Sequence, residues 1–137
     1  MSDPTTFKNN VRVKNGIVLE QSTPAIDATA GAITMTPAQI LSGLLIRNTN
    51  GANRADLMPT VASLVLGLLN PRDLTGASFE FTIRNNAGAV ETITVTTNTG
   101  WTLSGTMTIA QSNSKRFRVV FSSNAAATLY SLGTVVT

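Results

Sequence analysis

The chain has 137 residues, with ten Lys plus Arg against seven acids for a formal net charge of +3. It contains neither Cys nor His, which excludes zinc sites built on those ligands, iron–sulfur ligation, disulfides, thiol chemistry and Ser-His-Asp catalysis. Charged residues make up only 12%, about half the usual globular share, and Thr, Ser and Asn supply the missing polarity.

The start, Met1-Ser2-Asp3-Pro4-Thr5-Thr6, lacks the basic and apolar regions of a signal peptide. No apolar run approaches the roughly 20 residues of a membrane span. The sequence therefore predicts a soluble chain made in the cytoplasm, with no membrane partner. Phe7 to Glu20 reads as two short strands around the Asn15-Gly16 turn, Val11 and Val13 alternating with Arg12 and Lys14. Gln21 to Ala32 has no periodicity and reads as an extended linker. Residues 1–32 are thus expected to form an N-terminal arm, and residues 33–137 a separate β domain.

Ile33-Thr34-Met35-Thr36 is expected as a strand, and Gly43 to Asn48 as another. One helix follows. Thr60 after Pro59 suits an N-cap, Val61, Leu64, Val65, Leu68 and Leu69 fall on one face, and Asn70-Pro71 ends it. Leu66 lies off that stripe, so this helix needs cover on more than one side. Phe79 to Arg84 and Glu91 to Thr96 alternate strictly and are expected to pair as a hairpin across Asn85 to Gly88. Trp101 opens a strand through Gly105, where a bulge is expected, toward Ile109. Phe117, Val119 and Phe121 mark the next strand, and Leu129 to Leu132 with Val135-Val136 the last. Short alternating strands joined by Gly, Asn and Ser turns predict an all-β fold: an antiparallel β-sandwich, jelly-roll-like, with one inserted short helix and an extended N-terminal arm.

Few groups remain for catalysis. Glu80 and Glu91 could make a carboxylate pair, but their place opposite the apolar face predicts two solvated acids. Asp27, Asp56 and Asp73 fall in expected loops, Asp56 near Arg54 and Asp73 directly after Arg72, so local pairing or turn-capping is expected of them. Lys115, Arg116 and Arg118 form the one basic cluster. It reads as the solvated face of a strand, too sparse for direct nucleic-acid binding. Trp101 reads as a core lid, though with Tyr130 it could stack on a sugar. The expectation is a protein that is not an enzyme, with no cofactor and no metal. Thr-rich strand faces with few charges suit broad polar contacts in a symmetric assembly.

The succession Leu41-Ser42-Gly43-Leu44-Leu45-Ile46, Asp56-Leu57-Met58-Pro59-Thr60, Ser78 to Asn85, Glu91 to Val95, Gly105 to Ile109 and Lys115 to Val119 resembles small structural proteins of tailed bacteriophages. These are capsid decoration, or cement, proteins of the jelly-roll type. The resemblance spans Ile40 to Thr137 and leaves the arm outside it. It implies a homotrimer on the outer capsid surface of a virion, binding the major capsid protein and bridging its subunits, with an N-terminal extension reaching over neighbours. On that basis Phe7, Arg12, Lys14, Ile17 and Leu19 are expected to touch the capsid, and Leu57, Met58 and Leu66 to touch another subunit. Phe7 to Glu20 also looks like strand units of phage fibre proteins. The rival expectation is therefore a tail-fibre or receptor-binding module, with glycan binding possible.

Overall fold

A computed structural model describes residues 23–68 and 72–136. The candidate capsid-contact residues Phe7, Arg12, Lys14, Ile17 and Leu19, and the hairpin expected around Asn15-Gly16, lie outside them.

Among the described residues the fold is β-rich, with two sheets and two short helices. In chain order come β1 (Ala25–Asp27), α1 (Pro37–Leu41), β2 (Leu44–Arg47), β3 (Arg54–Leu57), α2 (Val61–Leu66), β4 (Ser78–Asn85), β5 (Ile93–Thr96), β6 (Trp101–Ser104), β7 (Thr108–Ile109), β8 (Ser114–Phe121) and β9 (Ala127–Val135). The larger sheet has the order β1-β2-β4-β8-β9-β6, and the smaller β3-β5-β7.

The expectation of a purely antiparallel arrangement fails. β1 with β2, β2 with β4, β3 with β5 and β6 with β9 run parallel; only β4–β8, β5–β7 and β8–β9 are antiparallel. The cause is a chain that changes sheet at nearly every step. From β2 it crosses to β3, then back to β4, and two reversals leave β4 running as β2 does. The same double reversal makes β5 follow β3. Alternation within a strand reports its buried face but says nothing of which strand lies beside it.

The strand expected from Trp101 to Ile109 is real but divided. Gly105, at φ +95°, bends the chain between β6 in one sheet and β7 in the other. The expected bulge is therefore a sheet-switching corner. The hairpin expected from Phe79 to Thr96 does not exist, because β4 and β5 belong to different sheets.

Ile33 to Thr36 makes only an isolated bridge, Thr34 to Leu57, before α1 begins. The single expected helix becomes two. In α1 the Thr36 side chain accepts from the Gln39 N–H at 3.2 Å, and the Gln39 side chain accepts from the Thr36 N–H at 2.9 Å, a reciprocal capping box. Pro37 follows the cap, where its missing N–H costs nothing. In α2, Thr60 is the N-cap as expected, accepting from Ser63 N–H at 3.1 Å.

The stretch expected as linker contributes β1, the edge strand beside β2. One hydrophobic cluster fills the interior, drawn from both sheets and both helices: Leu45, Phe81, Ile83, Phe117, Val119 and Leu129 from the large sheet meet Ile93, Val95 and Ile109 from the small one. Ile40 and the α2 stripe Val61, Leu64 and Val65 close it.

Candidate functional site

Cross-strand register places Asp27, Arg47 and Asn85 in one row at one end of the large sheet. All three share the phase of inward residues: Arg47 follows Leu45, and Asn85 follows Phe81 and Ile83. Pairing with the core in this way carries a charge inside.

Arg47 is fully buried. Its Nε donates to Asp56 Oδ2 at 2.8 Å, across to the small sheet. Its Nη1 donates to the carbonyls of Thr29 at 2.9 Å and Asn48 at 2.5 Å, and its Nη2 to that of Gly31 at 2.6 Å. Asp27 lies 3.8 Å from Nη1. The other oxygen of Asp56 accepts from the Ile33 N–H at 3.0 Å. Planar guanidinium geometry allows one side chain to satisfy all these acceptors at once.

The rest of the interior polar layer is equally closed. Asn85 donates to the carbonyls of Glu91 at 2.8 Å and Ile109 at 2.9 Å, and its oxygen accepts from Ala87 N–H at 3.0 Å. Glu91 accepts from the Thr49 hydroxyl and from the Gly51 N–H at 3.3 Å. Every buried side-chain nitrogen or oxygen among the described residues has a partner. Such a layer locks two sheets in register and leaves no donor or acceptor aimed at a ligand.

Asp27 sits well placed in this layer. Partial burial opposes its charge, but hydrogen bonds from Thr29 and Gln39 and the nearby Arg47 outweigh that and hold its pKa below the ordinary carboxylate value. The surroundings favour the charged form of Asp27 but disfavour that of Lys115. Burial lowers its pKa, and its Nζ donates to the Thr106 carbonyl at 2.8 Å.

Several expectations change here. Glu91 is buried and does not face solvent, because it shares phase with Ile93 and Val95; Glu80 is exposed as expected. Asp56 pairs with Arg47 in place of Arg54. Lys115 leaves the basic cluster, since it is in phase with Phe117, while Arg116 and Arg118 stay outside. Of the pairing or capping expected for Asp73, the structure shows capping, with Thr75 N–H donating to it at 3.0 Å. Trp101 is a core lid, its Nε1 donating to the Pro59 carbonyl at 2.6 Å, so its ring offers no open face to a sugar.

The candidate subunit contacts divide. Met58 is sealed in the core at 0% exposure and offers no surface, because it follows β3 directly in the phase of Asp56. Leu57 is half-buried and is joined to the chain around Thr34. Leu66, off the α2 stripe, is 82% exposed. The structure does not bring these three together as one patch.

The outer face of the large sheet is the other candidate. Register aligns Ile26, Ile46, Arg84, Ser114 and Val135 in one row and Leu44, Thr82 and Arg116 in the next. Alongside, Glu80 lies opposite Arg118, which lies opposite Tyr130. This face combines exposed apolar side chains with a surplus of arginine. It can bind by contact and charge, and it presents a groove of about 400 Å³ lined by Thr82, Ser114, Arg116 and Leu132 to Val135. Among the described residues no group of three or more acids or other ligands is placed to hold a metal, and no helix is long and apolar enough to cross a membrane. Comparison with protein-family models, characterised proteins and solved structures finds no match to this chain.

Proposed function

We propose that the chain is a structural virion protein, a decoration or cement protein on the outer surface of a phage capsid. It is made in the host cytoplasm, assembles as a homotrimer and bridges major capsid subunits without catalysing a reaction. The observation supporting this reading is the distribution of uncovered apolar side chains on a locked, charge-poor β scaffold. Ile26, Leu66, Val90 and Val136 are each at least three-quarters exposed and lie on separate stretches of the chain, in β1, in α2, between β4 and β5 and just past β9. Scattered contacts of this kind are individually weak, but copies joined in one assembly gain effective concentration at each further contact.

In this reading the two sheets are the leaves of a jelly-roll-like sandwich whose strand order departs from the antiparallel pattern. Leu57 and Leu66 serve subunit contact, and Phe7, Arg12, Lys14, Ile17 and Leu19 reach the shell. The tail-fibre reading keeps Tyr130, exposed beside Arg118, as a stacking surface, but loses Trp101. The deciding experiment mixes the purified chain with undecorated capsids, sediments them and images the particles. Regular density on the shell is expected. Density confined to the tail, or failure to sediment with the particle, overturns the reading.

A further inference from the structure

β9 outruns its neighbour. β6 covers it only from Ala127 to Tyr130, whereas β8 accompanies it to Val135. The Phe121 N–H donates to the Ala77 carbonyl and the Asn85 N–H to that of Asn113, so odd-numbered residues of β8 bond toward β4 and even-numbered ones toward β9. Arg116 lies opposite Gly133, and Ser114 opposite Val135. By that alternation, Gly133 and Val135 spend their backbone groups on β8, while those of Thr134 and Val136 face the open side. No other described segment hydrogen-bonds there.

Exposed edges are ordinarily guarded by lysine, proline, charge or a covering segment. The run Leu132-Gly133-Thr134-Val135-Val136 has no charge and no proline. The irregularity opposite Arg116 and Phe117 turns the strand without covering it. Leu132, Val135 and Val136 are all exposed. Beside them runs the groove, with the exposed Arg116 in its wall. On the outward faces of β4 and β8, three arginines, Arg84, Arg116 and Arg118, stand against one acid, Glu80.

We propose that this edge accepts an extended acidic segment of a partner protein as an added strand. Its backbone pairs with Thr134 and Val136, an apolar side chain enters the groove against Leu132 and Val135, and a carboxylate meets Arg116. A second copy of the same edge is the poorer occupant. It brings no acid of its own and sets arginine near arginine. A nucleic acid would use the arginines but not the unpaired backbone or the apolar side chains. The inference rests on the assembly reading only for the partner's identity as the shell protein.

The test titrates the full chain into a labelled short peptide of alternating Glu and Val, read by fluorescence anisotropy, with a Lys/Val peptide and duplex DNA in parallel. Saturable binding of the Glu/Val peptide is expected, weakened at least about tenfold, or about 1.4 kcal/mol, by Thr134→Pro. Arg116→Glu is expected to lose that peptide by a similar factor and to gain the Lys/Val peptide, with an unchanged melting curve showing that the fold is intact. Equal binding of both peptides, tighter binding of DNA, or a concentration-dependent dimer that Thr134→Pro abolishes each overturns the proposal. Peptide binding without sedimentation on capsids leaves the edge standing and removes the shell reading.

Discussion

Arg47 links three parts of the chain, the segment before α1, β2 and β3, through one guanidinium. Removing a partner from a buried pair leaves the other charge stranded, at a cost of about 3–5 kcal/mol, whereas replacing both by apolar residues is often near neutral. Urea denaturation of Arg47→Met and of Asp56→Leu should each show losses in that range, with the double variant losing clearly less than their sum. Lys115 gives a test with the opposite sense. Its folded pKa lies below the ordinary lysine value of 10.5, so the unfolded chain binds more protons between the two values. Stability attributable to this residue therefore rises with pH through that window and is lowest below it. Lys115→Met should raise the melting temperature at pH 7, and the gain should shrink as pH climbs toward 10.5; a gain independent of pH would contradict the assignment. The burial of both residues was legible in the sequence. Arg47 is two residues from Leu45, and Lys115 two from Phe117, in strands whose period is two. Chemical type suggested solvent, and phase was the better guide. The same holds for Asn85 and Glu91.

At the scale of elements, β1 decides how much of the N-terminal region is dispensable. It pairs with β2, and the carbonyls of Thr29 and Gly31 bind Arg47. Deleting residues 1–32 strips those acceptors and the strand together, and should lower stability by several kcal/mol, the scale of an unpaired buried charge. Deleting residues 1–22 keeps β1 and both carbonyls, so the loss specific to the Arg47 contacts should be absent. Circular dichroism melts of the two truncations, beside capsid sedimentation of the shorter deletion, separate a role in folding from a role in attachment. Local signals announced α2 and most strands, because caps and alternation are short-range. β1 was missed because three residues at an edge carry too little periodicity to stand out. The capping box of α1 was present in Thr36 and Gln39 but hidden behind the strand expected from Ile33 to Thr36.

At the scale of the molecule, strand content and the two-sheet division of the core follow from alternation and turn chemistry, while the pairing order does not. Whether β4 lies beside β5 or β8 depends on long-range choices that a local period cannot encode. The sharpest example is Gly105, recognised as an irregularity within a strand yet acting as the corner between sheets. The candidate surface was visible only in part. The arginines of β8 were seen, but the open edge beside them appears only once β6 is known to stop at Ser104.

The position of Arg47 has a mechanical consequence. Any load entering through the residues that precede Ala25 arrives first at a strand only three residues long, which by itself would peel away easily. Four residues further along, the same stretch of chain is clasped by a guanidinium rooted in β2 and braced against β3. A tug from that end is thus handed to both sheets at once, and the molecule should resist stretching as a single block until that clasp yields.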